Sequence, residues 1–295
     1  MKRRKRFGKV TCMMLLVSLL LLAGCSNTAK NEEESKTSTE KITVAVTIVP
    51  EQTFVEAVCG DLVDVVTMVP PGSSPENYEP TPQQIQKFSK ADVYFAIGVP
   101  IEQTYILPNA GDMNIVSLQD KVAQIYPDRT FESGDRDPHI WLSPKRAEVM
   151  VDEIADEMGK VDEKNKDVYR QNANDYIAQL QQLDQEIKTS LEGVKNRKFI
   201  VYHPAFGYIA EDYGLEMVAL EEEGKEATIQ HLRDMIDLAK KENIKVIFYQ
   251  EEIDSSQSEA YAEEIGGKTV MLEPLAADYI DNLKKMTNTM AEVMQ

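Results

Sequence analysis

The order of short apolar runs and helix-patterned segments constrains this chain most. ITVAVTIV (42–49), VDVVTMV (63–69) and DVYFAIG (92–98) read as buried strands. Between them lie EQTFVEAVCG and TPQQIQKFSKA, two helical segments. The second has Thr81 placed as N-cap and Pro82 at the first helical turn. SPKRAEVMVDEIADEMGK then gives a helix capped by Ser143. The alternation returns with KFIVY (198–202), a helix near 206–213, EMVAL (216–220) and a helix over 228–242. It continues through KVIFYQ (245–250), a helix over 255–265, KTVML (268–272) and a last helix from about 276. Such alternation builds βαβ units around a mainly parallel sheet.

Residues 162–192 break the pattern. Tyr169, Tyr176, Leu180, Leu183, Ile187 and Leu191 recur at spacings of 7, 4, 3, 4 and 4, which is one apolar stripe on a long helix. Gly193 suits the position just past its end. The predicted fold is therefore α/β, with two lobes, each a mainly parallel sheet flanked by helices, joined by one long rigid helix. The lobes fall at 41–161 and 194–295, and the linking helix at 162–193.

The chain opens with basic MKRRKRFGK followed by VTCMMLLVSLLLLAG, whose apolar run is too short for an ordinary membrane span. That order marks residues 1–24 as an export signal. It ends in Leu22-Ala23-Gly24-Cys25, which resembles a bacterial lipobox. The resemblance implies cleavage before Cys25 and lipid on that cysteine, anchoring the protein at the extracytoplasmic face of the cell membrane. Residues 25–40 are polar, lack apolar periodicity and read as a flexible tether.

Losing residues 1–24 removes six basic side chains and no acids, leaving 26 basic against 50 acidic and a formal charge of −24. Such a surface repels nucleic acid and anionic lipid and raises the local cation concentration. With Cys12 removed and Cys25 lipidated, Cys59 has no partner for a disulfide; it reads as a small buried residue at a helix end.

In open α/β sheets, ligands bind outside the carboxyl ends of strands. KFIVY is followed by His203-Pro204, and KTVML by Glu273-Pro274-Leu275. The strand over 63–69 is followed by PPGSSPENYEPTP, with Glu76 and Glu79. His139 lies in a comparable loop, in RDPHIWLSP. A proline beside each candidate stiffens its backbone. Two imidazoles and two carboxylates from four stiff loops match a site for one first-row divalent metal.

At this point the sequence resembles the metal-binding subunits of bacterial ATP-driven zinc and manganese importers, also called adhesin lipoproteins. The likeness runs from about residue 42 to 295 through PGSSPENYEPTPQQIQ, DPHIWLSP, YHPAFGYIAEDYGL, IFYQEEIDSS and LEPL. It implies two α/β lobes with a metal buried between them, held by Glu76, His139, His203 and Glu273. Two of these depart from the family pattern: Glu76 stands where a histidine is usual, and Glu273 where an aspartate is usual. The histidine-rich loop frequent in zinc-type members is missing from PDRTFESGDRD. Zinc is favoured over manganese, because zinc binds such sites more tightly and His203 follows the zinc-type pattern. Iron is a further alternative.

The function implied is a monomeric, non-catalytic binding protein that captures a divalent metal outside the cell and hands it to an ATP-driven permease. A zinc hydrolase would need an open coordination position, which four protein ligands in a tetrahedral site do not leave. A binder of vitamins or siderophores would need a broad aromatic cleft. His231 is read as surface or lobe packing and Trp141 as a packing anchor. Glu251 and Glu252 are either acceptors behind the metal ligands or a solvated strand end, and LEEEGKE reads as a solvated face.

Overall fold

The computed structural model describes residues 41–221, 228–253 and 256–295, and Lys41–Gln295 forms one compact unit. The export signal, Cys25 and the tether lie outside the described residues.

The elements run β1 (Ile42–Val46), α1 (Val49–Cys59), β2 (Val63–Thr67), α2 (Pro82–Phe88), β3 (Val93–Ala96), β4 (Asn114–Ser117) and α3 (Leu118–Ala123). Then come α4 (Pro144–Val161), α5 (Lys166–Glu192), β5 (Lys198–Val201), α6 (Gly207–Asp212), β6 (Glu216–Ala219) and α7 (Ile229–Lys241). The chain ends with β7 (Val246–Gln250), α8 (Ser256–Glu264), β8 (Lys268–Leu272) and α9 (Tyr279–Val293). The strands form two four-stranded sheets, ordered β2-β1-β3-β4 and β6-β5-β7-β8, with every pairing parallel. In each sheet the connections reverse direction between the first and third strands of that half, so a crevice opens there at the strands' carboxyl ends.

The expected caps are made. The Thr81 side chain accepts from Gln84 N, and that of Ser143 from Arg146 N. The expected stripe is the buried face of α5: Tyr169, Leu180, Leu183, Ile187 and Leu191 are inaccessible, and Tyr176 packs beside them. Each such side chain contributes about 1.5–3 kcal/mol by leaving water. Gly193 does not adopt the left-handed conformation of a C′ glycine; it caps α5 at φ −83°. β4 escapes the sequence reading because NIVS is four residues long and buries fully only Val116.

One continuous core joins both sheets to α4 and α5, and a smaller one around Ile200, Ile247 and Ala262 lies on the other face of the second sheet. Polar pins reinforce the first. Buried Arg146 of α4 donates to both carboxylate oxygens of Asp212 on α6 at 3.0 Å and stacks over Tyr208 at 4.2 Å. Trp141 Nε1 donates to Pro274 O at 3.0 Å, and Tyr279 OH returns a bond to Trp141 O at 2.6 Å. These bonds fix the loop bearing His139 against the loop after β8. Among the described residues, no helix is long and apolar enough to cross a membrane.

Candidate metal centre

His139 stands in a loop whose conformation Asp137 dictates. Asp137 is fully buried, accepts from His139 N at 3.0 Å and faces His139 Nδ1 at 2.8 Å. Its other oxygen meets Arg129 Nε at 3.4 Å, while Tyr208 OH donates to its carbonyl at 3.0 Å. With Nδ1 committed to a carboxylate, Nε2 is left to face the crevice. The ring lies 5.1 Å from that of Trp141, which is the packing anchor expected.

His203 follows β5 and repeats the device. Its Nδ1 is bonded to Glu221 Oε1, from the segment after β6. Glu221 belongs to LEEEGKE, so the reading of that run as a solvated face is wrong at this residue: its side chain is 10% exposed. The signal was available, since Glu221 directly follows a strand. A carboxylate on the far nitrogen of a metal-binding imidazole fixes its tautomer and raises its basicity. Both Asp137 and Glu221 were missed as orienting residues.

The two Nε2 atoms stand 3.2 Å apart, and Glu76 Oε1, from the loop after β2, is 3.9 Å from each. A point equidistant from the three donors lies about 2.1 Å from each, inside the roughly 2.0–2.2 Å range of zinc bonds to nitrogen and carboxylate oxygen. Glu76, His139 and His203 are the set whose donor atoms converge among the described residues. Both imidazoles are buried, and the Glu76 side chain is 20% exposed. A cavity of about 410 Å³ adjoins them, lined also by Phe131, Pro138 and Arg136. Arg136 is paired with Asp120 and Asp128.

Glu273 is not brought into this set. Its Oε2 pairs with Lys285 Nζ at 2.9 Å, and its carbonyl accepts from Asn282 Nδ2 at 2.7 Å. Glu79, the neighbour of Glu76 in sequence, accepts from Tyr105 OH at 3.1 Å. Glu251 is exposed. Glu252 is half-buried, with Oε2 enclosed and unpaired among the described residues; burial, then the charges of Glu251 and Glu273, push its carboxyl pKa up. His231 is half-buried with Nε2 on Ala219 O at 3.0 Å, away from the centre, as a packing role requires. Cys59 is buried, and burial pushes its thiol up to about 12, so it is inert.

Fold and site together define a class: a two-lobed α/β binding protein with a small nitrogen–oxygen site at the carboxyl ends of its strands. Within that class the chain belongs to the family of the periplasmic zinc-uptake complex component A, whose model matches residues 44–293. It is 31% identical to the high-affinity zinc uptake system protein ZnuA of Bacillus subtilis, over 89% of this chain and 87% of that one. It is 29% identical to the iron ABC transporter substrate-binding lipoprotein MtsA of Streptococcus pyogenes, over 88% of this chain and 87% of that one. A crystal structure of a zinc-bound ZnuA deletion mutant superposes with a TM-score of 0.81 at 36% identity, covering 87% of this chain and 99% of that one.

Proposed function

We propose that this protein captures one divalent metal outside the cytoplasmic membrane, zinc in preference to manganese or iron, and delivers it to an ATP-driven permease. The supporting observation is the convergence of His139 Nε2, His203 Nε2 and Glu76 Oε1 on a point at bonding distance from all three. Glu273 is the fourth protein donor in this reading, released from Lys285 as the ion enters. Imidazole suits zinc, and zinc stands above manganese and iron(II) in affinity for nitrogen–oxygen sites. The zinc named in two relatives agrees with this preference, and the iron named in another keeps the alternative in view. Asp137 and Glu221 are committed to orienting the imidazoles, so the site holds an ion without supplying a poised general base. No turnover of ester, peptide or lactam substrates is expected.

The test is native mass spectrometry of protein loaded in competition among zinc, manganese and iron. The parent and His231→Ala should each carry one zinc; His139→Ala and His203→Ala should lose it. Equal loading of all four proteins would refute the assignment. A lipid at Cys25 holds the domain, as a monomer, at the membrane's outer face in this reading. The strongly acidic mature chain leaves nucleic acid out as a partner.

A further inference from the structure

Gln250 ends β7, the strand between those that lead to His203 and Glu273. Val201 pairs with Phe248, and Tyr202 N donates to Phe248 O at 2.8 Å, so β5 and β7 run together to this point. Side chains alternate along a strand. Phe199, Val201 and Phe248 face the larger core, and Ile200, Tyr202 and Ile247 the smaller one. Gln250 therefore faces the larger core at the end of β7, and His203 stands two residues past Val201, the end of the neighbouring β5. On its other side Gln250 is in register with Leu272, the residue before Glu273. This is also the point where the sheet's connections reverse.

The Gln250 side chain is only 6% exposed, and its Nε2 has no hydrogen-bond partner among the described residues. Leaving a buried amide unpaired is costly, and an apolar side chain of the same size would avoid the cost. The position makes sense if an acceptor arrives there. Three converging protein donors would leave a divalent metal in need of at least one more.

Resting on the metal centre proposed above, we infer that Gln250 is a positioning residue: its amide donates to the oxygen that completes the ion's shell. That oxygen belongs either to Glu273, swung from Lys285, or to a water carried in by the metal. In both cases the amide fixes an oxygen donor beside His203 and sharpens the geometry that the ion meets. It touches the oxygen and not the metal.

The experiment compares the parent with Gln250→Met, which keeps length and volume but lacks the donor. Zinc affinity is read by competition with a chromophoric chelator, stability of the metal-free protein by thermal melting, and coordination geometry by the visible spectrum of the cobalt(II) form. The expected result is about tenfold weaker zinc binding, an altered cobalt spectrum, and a metal-free melting temperature equal to or above the parent's. A merely structural glutamine would instead lower that temperature, and this result overturns the inference. So does parental zinc affinity with an unchanged spectrum while His139→Ala has lost zinc. Should His139→Ala itself bind as the parent does, the centre is misassigned and both readings fall. Adding Gln250→Met to Glu273→Ala separates the two oxygens: no further loss assigns the bond to Glu273, and a repeated tenfold loss assigns it to water.

Discussion

Replacing Glu221 tests whether imidazole orientation, and not only imidazole presence, sets the affinity of the centre. The Glu221 side chain is 10% exposed and that of His203 is 4%, so water replaces a lost partner poorly. In Glu221→Ala, a buried Nδ1–H is left unpaired at a cost of about 1–3 kcal/mol. Since 1.4 kcal/mol is a factor of ten, that corresponds to roughly 5- to 150-fold. Loss of partners behind metal-binding imidazoles generally costs about 10- to 100-fold. A decrease of about 30-fold in zinc affinity is therefore expected. Glu221→Gln keeps an acceptor oxygen and loses the charge. Charged hydrogen bonds are about twice as strong as neutral ones, so roughly half the free energy goes, or about fivefold. Both variants remove the same unit of charge, so the difference between them isolates the hydrogen bond from the general attraction of the acidic surface. The assay is chelator competition at fixed pH, because protons compete with metal for the imidazoles. Equal affinity of the two variants would show that charge alone mattered. Parental affinity of Glu221→Ala would refute the orienting role outright.

Glu76→His is expected to raise the zinc-over-manganese preference, since nitrogen suits zinc and carboxylate suits manganese, while Glu76→Ala weakens both; titration calorimetry with each metal checks this. Arg146→Met leaves the part-buried Asp212 carboxylate with Ser143 as its remaining partner and should cost about 3 kcal/mol of stability, the low end for a broken buried ion pair, measured by urea unfolding. If lobe docking did not depend on this pair, the unfolding midpoint would stay put. Burial, then the charge of Glu102, pushes the pKa of Glu51 well up, so its ionisation opposes folding. The penalty is absent below the ordinary glutamate range near 4.5 and grows as pH rises toward the folded value. Glu51→Gln keeps an oxygen for the Thr47 and Ile48 amides and should raise the melting temperature at pH 8 but hardly at pH 4; a pH-independent gain would contradict this. Cys25→Ala should release the protein from the membrane fraction or block its processing, and unchanged fractionation and mature mass would exclude lipidation there.

The two lobes and their linking helix were legible because their determinants are local. Alternating short apolar runs, the Thr81 and Ser143 caps, and the stripe from Tyr169 to Leu191 depend on residues a few positions apart. Asp137 and His139 share one tripeptide, so that half of the centre is also written locally. Position after a strand or turn beside proline nominated His139, His203, Glu273 and either Glu76 or Glu79, and the family resemblance picked Glu76. Tertiary structure decided which donors converge, and at what distance. Glu221 meets His203 only because β6 lies beside β5, and Gln250 flanks His203 only through the register of β7. Glu273 faces a competition the sequence does not express, because Lys285, twelve residues on in α9, offers its carboxylate a salt bridge. Local periodicity fixes which residues form an element and which face is apolar. Bringing three donor atoms within 4 Å of one another depends on the packing of segments more than 60 residues apart, which no local pattern encodes.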